Sequence, residues 1–233
     1  MATTPTAPGD AVAGCAAAHR ALEATIATLD DDAARRDTRL PGWSVGHLLT
    51  HLARNADSHV HVGQGVIAGE VRDQYPGGFE RRNADIAAGA GRAADELIAD
   101  VGATNRATEA TWAGIDAAGW ATGTARAMKG EWRASEFPFY RWREVELHHI
   151  DLDLGHELAE VAPGYIALEL AWQAPALSSR LIDGQPKLLR ATDLGVEAGD
   201  ASGGLVEAAG WELIGWLFGR GELAGAPELK PWP

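Results

Sequence analysis

The sequence predicts a mainly α protein, with an N-terminal four-helix bundle over residues 1–157 and a small α+β domain over 158–233. Helical apolar periodicity, broken by caps and turn signals, runs through the first two thirds of the chain. After the stretch GHELAEVAPG the pattern shortens into strand-like runs separated by Gly and Asp. A length of 233 residues with 46% hydrophobic content suffices for one large domain or two modest ones, each with a core.

The elements follow in order. Asp10 is placed to cap a first helix through AVAGCAAAHRALEATIATL. LPGW then breaks the pattern, and Ser44 caps a second helix, VGHLLTHLARNADSHVHVGQGVIAG. YPGG at 75–78 marks a turn. A third helical stretch is expected from about Phe79 to Ala118, with Gly102 as its point of interruption, and residues 119–134 read as loop. Ser135 or Glu136 opens a fourth helix, with Pro138 in its first turn and an end near Gly155. Beyond it, YIALELAWQ reads as a helix stopped by Pro175. PKLLRATDLG and GLVEAAG read as short strands, WELIGWLFGR as a compact helix, and the tail APELKPWP as extended.

Composition narrows the function. A formal net charge of −13 argues against nucleic acid or an anionic membrane surface as partner, because both reward clustered Lys and Arg. It leaves room for a small anionic substrate held by one or two buried arginines. The single cysteine, Cys15, forms no intrachain disulfide and excludes a cysteine-rich zinc site. It reads as a packed helix residue. The start, MATTPTAPGD, does not read as a signal peptide, and Ala11–Ala18 is too short to span a bilayer, so a cytoplasmic protein is expected. Most of the tryptophans, Trp43, Trp211 and Trp216 among them, read as packing residues. The sequence does not give the oligomeric state.

The stretch WREVELHHIDL, residues 142–152, carries the chemistry. At about 100° per residue, His148 lies roughly 40° from Glu144, one turn on, and both fall within the apolar arc. Glu146, His149 and Asp153 fall opposite and read as solvated, and Trp142 points toward the outer face. A carboxylate within a core-facing arc is costly unless paired or metal-bound. The spacing alone leaves open a buried ion pair with His148, Arg141 or Arg143. The second helix shifts the balance, because HLLTH puts His47 and His51 on one face. Catalytic zinc takes three protein ligands and an open position, and two facing helices can supply His51, Glu144 and His148. His47 reads as a hydrogen-bonded core histidine.

LPGWSVGHLLTHLARNAD followed by RWREVELHHIDLDLG, with ERRNADI and LFGRG, resembles the mycothiol-dependent maleylpyruvate isomerases of actinobacteria, part of a larger group with a DinB-like metal-binding bundle. The resemblance covers nearly the whole chain, and it is more specific for the group than for the isomerase within it. It implies a DinB-like bundle and a small sterol-carrier-like α+β domain. It implies zinc, or another divalent metal, on His51, Glu144 and His148, and it leaves His47 outside the ligand set. It implies a role near the site for Arg220, and for Arg82 in RRN, as groups that bind substrate carboxylates.

The activity implied is thiol-dependent cis–trans isomerisation within aromatic (gentisate) degradation. Mycothiol's thiolate adds to the double bond of maleylpyruvate, the resulting single bond rotates, and elimination releases fumarylpyruvate. Two other readings stay open. One is a mycothiol S-transferase acting on a different electrophile, and the other is a non-catalytic metal- or ligand-binding module.

Overall fold

The computed structural model describes residues 8–127 and 130–230. The chain divides into two compact units, Ala7–His156 and Glu157–Pro233.

In the first unit, helix α1 (Pro8–Ile26) starts before Asp10, which lies within its first turn and not at its cap. A carboxylate there still complements the positive end of the helix. A four-residue helix α2 (Asp31–Ala34), not expected from the sequence, forms where the Asp30 side chain accepts the Ala33 amide at 2.8 Å. Helix α3 (Val45–Ala68) begins at Ser44 as expected. The Ser44 amide donates to His47 Nδ1 at 3.2 Å, and Gly69 ends the helix in the left-handed conformation, φ 70°.

The single helix expected after the YPGG turn is two, α4 (Gly78–Gly89) and α5 (Ala94–Ala113). The break falls at 90–93, while Gly102 is buried within α5. Two carboxylates decide the position. Glu96 accepts the Ala93 amide at 3.3 Å, and Asp31, from α2, accepts the Ala94 amide at 2.7 Å. The segment expected as loop contains helix α6 (Ala117–Thr122) and an antiparallel hairpin, β1 (Thr124–Ala127) with β2 (Gly130–Arg133). Helix α7 (Phe137–Asp151) follows, with Pro138 in its first turn.

Helices α1, α3, α5 and α7 make the bundle. Helix α3 packs on α5 and α7, α1 packs on α7 and α5, and α4 lies against α3. Because α7 is covered by α1 as well as by α3, its far side from α3 is not solvent. This corrects two expectations. Glu146 and His149 are buried, at 5% and 2% exposure. Glu146 accepts the Trp142 Nε1–H at 2.7 Å, and His149 Nε2 meets Thr25 Oγ1 at 2.7 Å while its ring stacks on His156. Trp142 faces α1, where a β-carbon at Gly14 would overlap its ring. Asp153 alone of that set is exposed, paired with Arg39 at 3.0 Å.

The bundle core is apolar around Leu48, Leu49, Leu52, Leu97, Phe137 and Ile150, with one guanidinium inside it. Arg141 is fully buried. It donates to Leu52 O at 2.9 Å, to Asn55 Oδ1 and Asn105 Oδ1 at 2.8 Å, and to His19 Nε2 at 3.2 Å.

The second unit contains α8 (Pro163–Gln173), α9 (Leu177–Arg180), strands β3 (Leu188–Ala191), β4 (Val196–Gly199) and β5 (Leu205–Ala208), and α10 (Gly210–Phe218). Strand order is β4-β3-β5, with β3 antiparallel to β4 and parallel to β5. Strand β4 was not legible as a separate run, because its VEAG has only one large apolar residue. Leu189 and Val206 of the sheet, Ile166 and Leu170 of α8, and Leu213 and Leu217 of α10 are buried in this unit's core. The whole is mainly α with small sheets. Among the described residues, no helix is long and apolar enough to cross a membrane.

Candidate metal centre

Helix α3 contributes His51 and α7 contributes Glu144 and His148, one turn apart. His51 Nε2 lies 2.9 Å from Glu144 Oε2, and His148 Nε2 lies 3.5 Å from the same oxygen. The two imidazole rings meet edge to face with centroids 4.7 Å apart. One ligand-type atom from each residue falls within 4.8 Å of the others, so the cluster can hold a metal ion. Tetrahedral zinc with bonds of roughly 2.0–2.1 Å separates neighbouring ligand atoms by roughly 3.3 Å, close to the two distances here. The donor set of two imidazoles and one carboxylate suits zinc or another borderline divalent ion and leaves a position open.

The surroundings hold this arrangement. His148 Nδ1–H donates to Asp151 Oδ2 at 2.9 Å, which fixes the ring with Nε2 toward Glu144 and, in the neutral ring, leaves the lone pair on Nε2. The Trp43 ring packs edge-on against His51 at 5.6 Å. His51 is buried at 4% exposure, while the Glu144 side chain is one-third exposed, so the cluster is closed by the bundle on one side and open on another.

The titrating groups follow the geometry. Burial pushes His51 down to about 4, against the hydrogen bond to Glu144. Burial works to raise the Glu144 carboxyl, but hydrogen bonds from His148 and His51 outweigh it and hold the group well below the usual carboxylate range. For His148, burial acts downward, yet the hydrogen bonds to Asp151 and Glu144 together leave it raised.

Arg82, on α4, reaches the same place. Its Nη2 donates to His51 Nδ1 at 2.7 Å, its Nη1 donates to Asn83 Oδ1 at 2.8 Å, and its guanidinium carbon lies 5.6 Å from the Tyr75 ring centroid. Its Nε is buried with no hydrogen-bond partner. Arg82 also lines an open cleft of about 510 Å³ together with Arg54, Asp57, His61, Tyr75 and Arg81.

His47 is not part of the cluster, since Ser44 Oγ holds its Nδ1 at 2.8 Å. Arg141 turns into the core and Arg143 lies over the Phe139 ring at 4.7 Å, so neither is the partner of Glu144. Arg220 belongs to the second unit, where it follows α10 and donates from Nη1 to Phe218 O at 2.9 Å. The sequence reading missed Asp151 and Tyr75. For Asp151 the signal was present, because a carboxylate three residues after His148 lies on the same helical face.

A helical bundle with a His–Glu–His cluster between two of its helices defines the class of bundles whose core could hold a metal ion. Residues 15–153 match the family model described as the mycothiol maleylpyruvate isomerase N-terminal domain, and the chain belongs to that family. Among solved structures, it is similar to the mycothiol-dependent maleylpyruvate isomerase, with 19% identity, a TM-score of 0.78, and coverage of 96% of this chain and 93% of the other. It is likewise similar to a histidine-to-alanine mutant of a mycothiol-dependent maleylpyruvate isomerase, with 18% identity, a TM-score of 0.80, and coverage of 97% and 98%. A search of curated proteins found no match.

Proposed function

We propose that this protein is a mycothiol-dependent cis–trans isomerase that converts maleylpyruvate into fumarylpyruvate, with a divalent metal, zinc first, held by His51, Glu144 and His148. The observation that carries the reading is the convergence of two imidazole nitrogens and one carboxylate oxygen within 4.8 Å in a chain of this family. When bound, zinc supplies the positive charge that lowers the pKa of a thiol and holds it as thiolate.

The chain's own residues supply the rest. Burial acts to raise the Glu144 carboxyl, but the two imidazoles beside it hold it well below the usual carboxylate range, so it is ionised at neutral pH. Asp151 keeps the His148 lone pair directed at the site. Arg82 presents guanidinium N–H groups beside the cluster for a substrate carboxylate, and Arg220 is proposed as a second carboxylate-binding group. The chain need not provide a nucleophile, which agrees with a lone cysteine fully buried in the bundle. The substrate is a small anion and the setting cytoplasmic. The net charge of −13 disfavours nucleic acid and anionic membranes as partners.

The test is metal analysis of the purified protein together with an assay of maleylpyruvate isomerisation with and without mycothiol. Thiol-dependent isomerisation is expected, with the Glu144→Ala and His51→Ala proteins losing both zinc and at least about a hundredfold of the rate. Conjugation of mycothiol to a model electrophile without isomerisation would instead assign an S-transferase. Full zinc content in both variants would remove this ligand set.

A further inference from the structure

The contact between Arg82 and His51 is incompatible with a metal on His51 Nε2. A neutral imidazole carries one proton. Arg82 has only donors, so the 2.7 Å bond from its Nη2 requires an unprotonated Nδ1 and places the ring proton on Nε2, where it donates to Glu144. A metal ion takes the lone pair of Nε2, so the proton must sit on Nδ1. In that tautomer two N–H groups face each other at 2.7 Å with no acceptor between them. The ring gains and loses no net proton; the proton only changes nitrogen, and the hydrogen bond to Arg82 becomes a repulsion.

Two further features bear on where the guanidinium can go. Its Nε is buried without a hydrogen-bond partner, and among the described residues Arg82 makes no ion pair with a carboxylate, a further polar neighbour being the Tyr75 hydroxyl. It also lines the cleft, which is large enough for a small dicarboxylate.

We propose that metal loading releases Arg82 from His51 and makes its guanidinium the anion-binding group of the cleft, so that binding of a small carboxylate is coupled to metal occupancy. The inference rests on the ligand set proposed above. In the metal-free protein Arg82 competes with the metal for His51; in the loaded protein it is free for bidentate recognition of a carboxylate. Coupling of this kind is reciprocal. The metal strengthens anion binding and the anion strengthens metal binding by the same factor.

The experiment is a zinc titration against a competing chelator, with and without maleate as a cis-dicarboxylate probe, on the intact chain and on Arg82→Ala and Arg82→Glu proteins. Removing a bond made only in the metal-free state should tighten zinc roughly tenfold in Arg82→Ala, the size of one charge-assisted hydrogen bond. Arg82→Glu should tighten it at least as much, because a carboxylate accepts the Nδ1 proton of a loaded histidine. Maleate should strengthen zinc binding in the wild type and not in either variant. The nitrogen chemical shifts of His51 should show the proton on Nε2 before zinc and on Nδ1 after it. Zinc affinity that Arg82→Ala leaves unchanged or weakens, or a maleate effect that survives in it, overturns the proposal. A protein that shows this coupling but does not isomerise maleylpyruvate fails only the proposed activity. One that isomerises without the coupling fails only this inference.

Discussion

Two clusters in one bundle place an imidazole between a carboxylate and a guanidinium, and they differ in what their nitrogens have left to give. In the first, His19 Nδ1–H donates to Glu109 at 2.8 Å, and its Nε2 accepts from Arg141 Nε at 3.2 Å with Cys15 Sγ 3.6 Å away. Thiol, imidazole and carboxylate stand in the order of a nucleophile triad. Yet the lone pair that would take the thiol proton already accepts from a guanidinium. Burial pushes the Cys15 thiol far up and His19 down to about 2. In the second cluster, Asp151 holds the Nδ1 proton of His148, and the Nε2 nitrogens of His51 and His148 converge on one Glu144 oxygen beside a partly open space. Residue types alone do not separate a structural cluster from a binding one. The separation comes from whether a second histidine nitrogen is left: His51, like His19, accepts from a guanidinium, but His148 Nε2 does not and faces Glu144.

The largest expected effect tests the structural side. Arg141→Leu leaves Leu52 O, Asn55 Oδ1 and Asn105 Oδ1 buried without that donor, and should destabilise the protein by about 3–5 kcal/mol. A urea unfolding midpoint equal to wild type would erase the distinction drawn between the clusters.

Acidification comes next. His19, His59 and His149 are buried neutral, with values lowered to about 2, 3 and 3, in each case chiefly by burial. Below pH 6.5 the unfolded chain therefore binds protons that the folded chain refuses, and stability falls as pH falls. Each such histidine contributes roughly 1.4 kcal/mol per pH unit below 6.5, until its folded-state value is reached. Melting of the metal-free protein should thus drop steeply between pH 6.5 and 5; a flat profile there would show that these rings take up protons in the fold.

A smaller effect sharpens the binding side. Asp151→Asn keeps the shape but weakens the carboxylate that orients His148, and zinc affinity should fall by about tenfold to a hundredfold. An unchanged chelator competition would show that Asp151 does not position the ligand. The smallest effect is expected at Cys15. Cys15→Ala should cost about 1 kcal/mol and leave zinc content intact, and in the wild type a thiol reagent should react only as the protein unfolds. Fast labelling of the native protein would mean the first cluster is not closed.

Local signals were legible where a local cause sufficed. Ser44 caps α3 through its own neighbours, and the spacing of Glu144 and His148 puts them on adjacent turns of one face. The break between α4 and α5 was misplaced because one of its causes is Asp31, 63 residues away, which captures the Ala94 amide. The hairpin of β1 and β2 was missed because each strand is only four residues long, too short for an alternating pattern to stand out. Glu146 and His149 were assigned to solvent because helical phase identifies a face and not what covers it. Helix α1 covers that face of α7, as the small residue at Gly14 beside Trp142 records.

The sequence by itself determined a mainly helical chain, the helices that carry His51, Glu144 and His148, and an overall acidity unsuited to polyanions, because periodicity, spacing and charge are properties of neighbours and sums. Only the tertiary structure decided which nitrogen of each histidine is available, that Arg141 is consumed by the core, and that Arg82 meets His51 across 31 positions of chain. Hydrogen bonds at 2.7–3.2 Å depend on how elements distant in sequence pack, and that packing settles the chemistry of a side chain whose identity alone leaves it open.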